Sequence, residues 1–161
     1  MTTGSEHVLS IEIADRICLL TLDRPERRNA ISDQLRAELS EAVLAADANP
    51  DVSVVVITGS GDKAFSAGAD LKDMRARDGG EGAAYRSPLH RTTRSLFDIL
   101  IDARKPSIAL VNGPAVAGGF ELALACDLIV ASREARFGLP EVRVGIFPGA
   151  GATHALTWRV G

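Results

Sequence analysis

The sequence predicts an α/β fold in which helices cover a largely parallel sheet, and three features support this. Apolar runs of strand length alternate with segments of helical periodicity along the 161 residues, a pattern typical of α/β proteins. Residues 52–58 are almost entirely apolar, which is typical of a parallel strand covered on both faces. The sequence shows no repeat of fixed period and no linker between two halves, so we expect one domain over residues 1–161.

The N-terminal third is expected to form a hairpin and a helix. Two apolar runs, residues 8–13 and 17–22, are separated by three turn residues, which predicts a β-hairpin. Ser32 is a suitable N-cap for a helix that runs to about residue 46 and stops before Pro50. Apolar residues at helical spacing predict the buried stripe of this helix: Leu35, Leu39, Ala42, Val43 and Ala46.

The remaining chain is expected to alternate loops, helices and short strands. Residues 59–71 form a loop of small residues. A helix is expected from Ser87, with Pro88 at its first position and a core face formed by Leu89, Leu96 and Leu100 together with Thr93, Phe97 and Ile101. Five further segments are expected: a strand at 107–111, a helix at 120–126, a strand at 128–131, a mostly irregular stretch at 136–149 and a helix at 150–160.

Composition and charge restrict the functional class. Hydrophobic residues make up 46% and charged residues 24%, as in ordinary globular proteins. A net charge of −3 and a pI near 5.6 argue against nucleic acid as the main partner. Cys18 and Cys126 lie in apolar segments and are expected to be buried thiols in a reducing compartment. With neither a signal-peptide pattern nor an apolar run of membrane-spanning length, a cytoplasmic protein with no membrane partner is expected.

Two loops of small residues, each expected to follow a strand, are the candidates for a functional site. They cover residues 65–70 and 116–121. In a parallel sheet both loops would leave the same edge, where open α/β sheets bind ligands. One backbone N–H from each loop could contact a single oxygen, which is the arrangement of an oxyanion hole. Glu121 and Glu141 flank apolar segments and could transfer protons beside that oxygen.

Each of these signals has a simpler explanation when it is taken alone. Glycines before a helix often serve packing, and a glutamate is usually a solvated surface residue. His7, His90 and His154 have no partner at triad-like positions. Ser66 lacks the G-x-S-x-G setting of a nucleophile, and the segment GIFPGAG is not a dinucleotide-binding fingerprint, so no nicotinamide cofactor is expected. The combination of two loops and two glutamates carries the functional interpretation.

Four segments carry a resemblance to a known family: DRPERRNAIS at residues 23–32, AFSAGADL at 64–71, KPSIALVNGPAVAGGFELALACDLIVAS at 105–132 and ARFGLPEVRVGIFPGAGAT at 135–153. Together they resemble the crotonase (enoyl-CoA hydratase/isomerase) superfamily over essentially the whole chain. The resemblance implies a spiral of ββα units with the acyl-CoA between its loops. Because crotonases continue into a C-terminal helical region, we expect this chain to be the N-terminal core portion, truncated at its C-terminus.

The resemblance also implies catalytic residues. The family's two oxyanion-hole N–H groups correspond to Ala69 and Gly118, and its two catalytic carboxylates correspond to Glu121 and Glu141. The implied reaction is the syn addition of water to a 2-enoyl-CoA, which gives a 3-hydroxyacyl-CoA through a stabilised thioester enolate. Glu121 is expected to take the proton of the attacking water, and Glu141 is expected to supply the α proton.

The substrate-binding residues implied by the resemblance lie in an arginine-rich turn, in the first small-residue loop and around the two glutamates. They are Arg24, Arg27, Arg28, Ala30, Ala67, Gly68, Asp70, Leu71, Gly119, Pro140 and Gly149. No metal and no separate cofactor are expected, because coenzyme A is part of the acyl-CoA substrate. The resemblance further implies a homo-oligomer, either a trimer or a dimer of trimers.

Two other functions stay open. An enoyl-CoA isomerase, or another crotonase-type enzyme, would react through the same enolate, and an isomerase would be insensitive to the loss of one carboxylate. A non-catalytic acyl-CoA-binding fragment or subunit would bind CoA thioesters without turning them over. The shortness of the chain is the feature that favours this last alternative.

Overall fold

The computed structural model describes residues 7–70, 73 and 94–161. Three of the sequence predictions fall outside these ranges: the substrate-binding residue Leu71, the helix start at Ser87 and Pro88 with the core-face residues Leu89 and Thr93, and the assignment of His90. In the described part of the chain, no helix combines the length and the apolar character needed to cross a membrane.

The described part of the chain contains seven strands, which are β1 (Leu9–Ala14), β2 (Ile17–Leu22), β3 (Val54–Gly59), β4 (Ser107–Val111), β5 (Ala115–Val116), β6 (Leu128–Ala131) and β7 (Phe137–Gly138). Five of them form the main sheet in the order β1-β2-β3-β4-β6, and β5 and β7 form a small parallel sheet. The β1–β2 hairpin is antiparallel, whereas the other pairs in the main sheet are parallel. The predicted hairpin and the predicted mostly parallel α/β class are confirmed.

In residues 7–70 and 94–161, four α-helices cover this framework, and they are α1 (Asp33–Ala48), α2 (Leu96–Ile101), α3 (Gly118–Ala125) and α4 (Ala152–Val160). The same ranges contain two short 3-10 helices in the loops, Pro25–Arg27 and Glu141–Val144. Ser32 caps α1 as predicted, because its Oγ accepts a hydrogen bond from the Leu35 N–H at 3.1 Å. All five residues of the predicted stripe of α1 are buried. The stretch 136–149, predicted as mostly loop, contains β7 and the second 3-10 helix.

Helix α2 begins with a capping box. The Ser95 side chain accepts from the Asp98 N–H, and the Asp98 side chain accepts from the Ser95 N–H. Leu96 and Leu100 are buried as predicted. The prediction that Ile101 belongs to the core face is wrong, because this side chain is 61% exposed. Ile101 lies about 100° around the helix from Leu100, which turns it away from the core.

One face of the main sheet is buried and the other is only partly covered. In β3, Val55 and Ile57 are buried, whereas Val54 and Val56 on the opposite face are half-buried. The buried face joins one hydrophobic core to which α1, α2, α3 and α4 all contribute side chains. The prediction that β3 is covered on both faces is therefore confirmed only for one face, and the described residues cover the other face in part.

Replacing Leu39 by alanine is expected to lower the free energy of unfolding by about 2–5 kcal/mol, since the change leaves a cavity in the core. The Leu39 side chain is 0% exposed, whereas that of Leu44, in the same helix, is 50% exposed. Leu44→Ala is therefore the matched control and should change the free energy of unfolding by about 0.5 kcal/mol or less. Urea denaturation followed by circular dichroism measures both variants. Equal losses in the two variants would contradict the placement of Leu39 in the core.

Both cysteines are buried free thiols, as the sequence predicted. Burial raises the pKa of the Cys18 thiol and raises the pKa of the Cys126 thiol to about 12. The two thiols are therefore protonated at neutral pH, where they act as small apolar core residues.

Candidate active site

Two loops meet at one edge of the main sheet. The first amide loop (residues 60–70) follows β3, and the second amide loop (residues 112–117) follows β4, contains β5 and leads into α3. Residues 118–121, predicted as part of the second loop, are instead the first turn of α3. Because β3 and β4 are parallel, both loops leave the same edge, as predicted. They are joined directly, since the Val116 N–H donates to the Ser66 carbonyl oxygen at 3.1 Å.

The Ala69 N–H points away from the segment that supports the first amide loop. Ile31 pairs with Ala69 in a parallel bridge. In this bridge the Ile31 N–H donates to the Gly68 carbonyl at 2.8 Å, and the Asp70 N–H donates to the Ile31 carbonyl at 3.1 Å. The intervening Ala69 N–H is thus directed to the opposite side, and it has no acceptor within the described ranges.

The Gly118 N–H lies at the start of α3, where the first amides have no acceptor within the helix. Ala117, which precedes it, has φ 50° and ψ −130°, a strained conformation for a residue with a side chain. The Ala117 N–H donates to the Gly138 carbonyl at 2.9 Å, which holds this turn. A methyl carbon added at Gly118 would lie only 3.5 Å from the Ala69 nitrogen. The two predicted oxyanion-hole residues are therefore brought together.

These residues line a cavity of about 460 Å³ that both predicted carboxylate residues also line. Glu121 and Glu141 are each only 5% exposed. Glu121 is held in place because its Oε1 accepts from the Ala150 N–H at 2.7 Å and from the Ala152 N–H at 3.3 Å. The Glu141 Oε2 is buried and has no hydrogen-bond partner among the described residues. Such an oxygen beside a cavity is suited to a water molecule or a substrate.

Burial is the largest influence on the Glu121 carboxyl, and it raises the pKa above the ordinary value of 4.5. The hydrogen bonds from Ala150 and Ala152 oppose this increase, because they stabilise the carboxylate, whereas the negative charge of Glu141 adds to it. A carboxylate with a raised pKa is a stronger base than free glutamate at neutral pH.

Replacing Glu121 by glutamine is expected to change how the stability of the protein depends on pH. When a carboxyl group has a higher pKa in the folded protein than in the unfolded chain, it stabilises the fold in its protonated form. This stabilisation is fully present at pH values below the pKa of the unfolded chain. That contribution is lost as the pH rises through the folded pKa. As the pH rises above about 4, the pKa of glutamate in an unfolded chain, the wild type should therefore lose unfolding free energy relative to Glu121→Gln until the folded pKa has been passed. Urea denaturation at several pH values measures this difference, and a difference independent of pH would contradict the raised pKa.

The arginine turn (residues 24–28) packs against the first amide loop. The Arg24 Nη1 donates to the Ala30 carbonyl at 2.7 Å and to the Asp70 Oδ2 at 3.0 Å. The Arg24 and Asp70 side chains are only 17% and 12% exposed, whereas Arg27 and Arg28 are exposed. Arg24 and Asp70 thus hold two loops together, and the predicted contact of this turn with coenzyme A stays a prediction.

The other predicted substrate-binding residues divide into two groups. Those that line the cavity are Ala67, Pro140 and Gly149. Those that are buried in the surrounding packing are Ala30, Gly68 and Gly119. Gly119 packs so tightly that a methyl carbon at this position would lie 2.4 Å from the Ser66 carbonyl oxygen. The small residues in the second group therefore allow the loops to approach each other.

Several lining residues were not predicted from the sequence. They are Ile31, Arg36, Phe97, Ala117, Arg143, Val144, Ile146, Phe147 and Ala150. These residues come from separate segments that meet only in the folded chain. Local sequence gives no signal for them, because Phe97 has the pattern of a core residue and Arg36 has the pattern of a surface residue on α1.

Within the described ranges, the histidines and Ser66 do not form a hydrolytic site. His7 and His154 are exposed. The Ser66 Oγ donates to the Asn29 carbonyl at 2.8 Å and accepts from the Gly68 N–H at 3.2 Å, so its role is structural. The same ranges also contain no group of three or more histidine, cysteine, aspartate or glutamate residues that could hold a metal ion.

Comparison with known sequences identifies similar proteins. The sequence model of a family described as "Enoyl-CoA hydratase/isomerase" matches residues 12–161. A probable enoyl-CoA hydratase of Rhizobium meliloti is 42% identical over 98% of this chain and 58% of its own length. The 2,3-dehydroadipyl-CoA hydratase of Escherichia coli is 44% identical over 95% of this chain and 57% of its own length.

Comparison with solved structures gives the same result. The enoyl-CoA hydratase of Bacillus anthracis superposes with a TM-score of 0.82 at 35% identity, covering 96% of this chain and 59% of its own. The enoyl-CoA hydratase of Mycobacterium tuberculosis superposes with a TM-score of 0.76 at 36% identity, covering 94% of this chain and 60% of its own. The chain thus spans less than two thirds of the length of these relatives.

Proposed function

Because the chain belongs to the enoyl-CoA hydratase/isomerase family, we propose that its cavity is a hydratase site that adds water to a 2-enoyl-CoA. One observation carries the proposal: Ala69 and Gly118, whose amides have no acceptor among the described residues, share one cavity with the buried carboxylates of Glu121 and Glu141. Hydration moves two protons, one from water and one to the α carbon, so a pair of carboxylates suits it. An isomerase would not depend on both.

In the proposed reaction, the substrate's thioester oxygen accepts hydrogen bonds from the Ala69 and Gly118 N–H groups. The positive end of α3, at Gly118, further stabilises negative charge on that oxygen. The oxygen of a water molecule bonds to the β carbon while Glu121 takes one of its protons. The electron pair of the C=C bond moves toward the thioester oxygen, which gives an enolate.

The second half of the proposed reaction returns the electrons to the α carbon. Glu141, which enters the proposed reaction protonated while Glu121 enters it ionised, gives its proton to this carbon; the thioester carbonyl re-forms, and a 3-hydroxyacyl-CoA is released. Glu121 then holds the proton taken from water and Glu141 lacks the proton that it supplied, so transfer of one proton between them restores the starting state. One water molecule has been added, and no oxidant, reductant or metal takes part in the reaction.

Turnover of crotonyl-CoA and of a long-chain 2-enoyl-CoA tests the proposal. The loss of the conjugated enoyl-thioester absorbance measures the rate, and chromatography identifies the 3-hydroxyacyl-CoA product. The same assay on a chain extended through the family's C-terminal region shows whether this part is needed. Binding of acyl-CoA without turnover at any acyl length would instead support the binding-only alternative. Conversion of a 3-enoyl-CoA to a 2-enoyl-CoA without hydration would support an isomerase.

We further propose that the protein is a cytoplasmic homo-oligomer, a trimer or a dimer of trimers, that uses no separate cofactor. Large apolar side chains are exposed on β6 and α4, including Leu128, Val130 and Trp158. Exposed apolar patches mark interaction surfaces, which supports assembly. The two buried free thiols are consistent with a reducing compartment. Light scattering of the purified protein measures the number of subunits.

A further inference from the structure

Asn29, in the loop between β2 and α1, is a fully buried polar residue that the proposed reaction does not use. Its side chain is 0% exposed, and its backbone has φ 54°, in the left-handed region that asparagine tolerates better than most residues. A polar side chain in this position is costly unless its donors and acceptors are satisfied. The contacts that satisfy it therefore indicate what the residue does.

The Asn29 side chain ties the arginine turn to the first amide loop. Its Nδ2 donates to the Ser60 carbonyl at 3.0 Å and to the Ala64 carbonyl at 2.9 Å. Its Oδ1 accepts from the Arg24 N–H at 3.0 Å. The side-chain amide group thus connects the arginine turn to the part of the first amide loop that precedes Ser66. Both donated bonds end on backbone carbonyls, so they hold the path of the chain rather than another side chain.

The Asn29 backbone continues this connection toward Ala69. The Asn29 carbonyl accepts from the Ser66 Oγ at 2.8 Å, and the same Oγ accepts from the Gly68 N–H at 3.2 Å. Gly68 is the residue immediately before Ala69. A chain of hydrogen bonds therefore runs from Asn29 through the Ser66 hydroxyl to the peptide that precedes the Ala69 amide. Ser66 is itself fully buried.

We infer that Asn29 is a positioning residue for the oxyanion hole, acting through Ser66 to hold the direction of the Ala69 N–H. This inference rests on the proposed hydratase function. Donors of an oxyanion hole act by being held in advance where charge will develop, and a misplacement of about 1 Å can cost about 10²-fold in rate. Removing the Asn29 side chain would leave the Ser60 and Ala64 carbonyls without their donor and free this loop to move.

Asn49 provides a matched control outside the two amide loops. It is the C-cap residue of α1, and its Oδ1 accepts from the Asp51 N–H at 2.9 Å. Its side chain thus bonds to the backbone, as that of Asn29 does, but Asn49 does not line the cavity. Asn49→Ala should therefore alter this turn without changing the oxyanion hole.

Infrared spectroscopy of bound butyryl-CoA, with a ¹³C-labelled thioester carbonyl, reports on the hole without requiring turnover. The wild type should lower the carbonyl stretching frequency relative to butyryl-CoA in water, since two N–H donors polarise the bond. Asn29→Ala and Ser66→Ala should return the frequency toward the value in water. In the hydration assay both should lose about 10²-fold in kcat with little change in KM, while Asn49→Ala should match the wild type in both measurements.

The outcomes separate the inference from the function on which it rests. Wild-type frequency and kcat in both variants would overturn the positioning role and leave the hydratase proposal intact. An unshifted frequency in the wild type would overturn the oxyanion hole and, with it, this inference. Ser66→Ala removes a single hydroxyl, so it supplies the decisive measurement if circular dichroism shows that Asn29→Ala is not folded.

Discussion

Glu141→Gln is expected to lower the kcat for hydration of crotonyl-CoA by about 10²–10⁴-fold, the usual contribution of a general acid or base. The Glu141 carboxyl is buried, lines the same cavity as Ala69 and Gly118, and has an oxygen with no hydrogen-bond partner among the described residues. Glutamine keeps the size and polarity of the side chain but cannot supply the α proton. Steady-state kinetics of enoyl-thioester loss measures the effect, and KM should change little.

Glu134→Gln is the control for this substitution. Glu134 lies seven positions earlier in the chain and is exposed, so the same change of charge there should leave kcat near the wild-type value. If a folded Glu141→Gln protein retained more than about a tenth of the wild-type kcat, Glu141 would not be the group that supplies the α proton. The site would then hydrate its substrate without the carboxyl group of Glu141.

Gly68→Ala is expected to lower kcat by about 10²–10³-fold, the usual cost of losing one donor of an oxyanion hole. Gly68 has φ +87°, a backbone conformation that residues with a Cβ atom rarely adopt. An added Cβ would lie 2.9 Å from both the Ala117 Cβ and the Val116 carbonyl oxygen, and 3.0 Å from the Gly118 nitrogen. None of these atoms belongs to a flexible side chain, so the two amide loops must separate.

Gly138→Ala is the control for the glycine substitution, because a Cβ there would meet only the Val116 Cγ1 at an ordinary contact distance of 3.9 Å. Gly138 also belongs to the small sheet beside Ala117, so it tests whether any added methyl group nearby disturbs the site. Steady-state kinetics and thermal unfolding of both variants separate activity from stability. Unchanged kcat in Gly68→Ala would contradict the close approach of the two amide loops.

The elements that follow from local patterns were predicted well. The β1–β2 hairpin, the Ser32 cap and the buried stripe of α1 all depend on residues within a few positions of one another. Hydrophobic periodicity and capping chemistry act over this same short range, so the sequence contains the necessary information. The prediction was wrong for Ile101 and only partly confirmed for the second face of β3. Burial at those positions depends on which segments pack there, and short-range sequence patterns do not contain that information.

The candidate site could be predicted only in part. The motif resemblance identified Ala69, Gly118, Glu121 and Glu141, but composition and spacing alone left each of them with an ordinary explanation. Asn29 was not identified, because a single asparagine in a charged turn has the local pattern of a surface residue. Its burial results from contacts with Ser60 and Ala64, more than thirty positions away along the chain. The apolar wall of the cavity was missed for the same reason.

By itself, the sequence determined the α/β class, the order of the strands and helices along the chain, and the family from which the four candidate residues follow. Only the tertiary structure decided that Ala69 and Gly118 lie close together on the wall of one cavity and that Glu121 and Glu141 are buried beside it. The physical reason is that the direction of an N–H group is set by what its neighbours bond to. For Ala69 these partners lie on Ile31, and for Gly118 the preceding amide bonds to Gly138. Such bonds form between segments that are distant in sequence, so they exist only once the chain has folded.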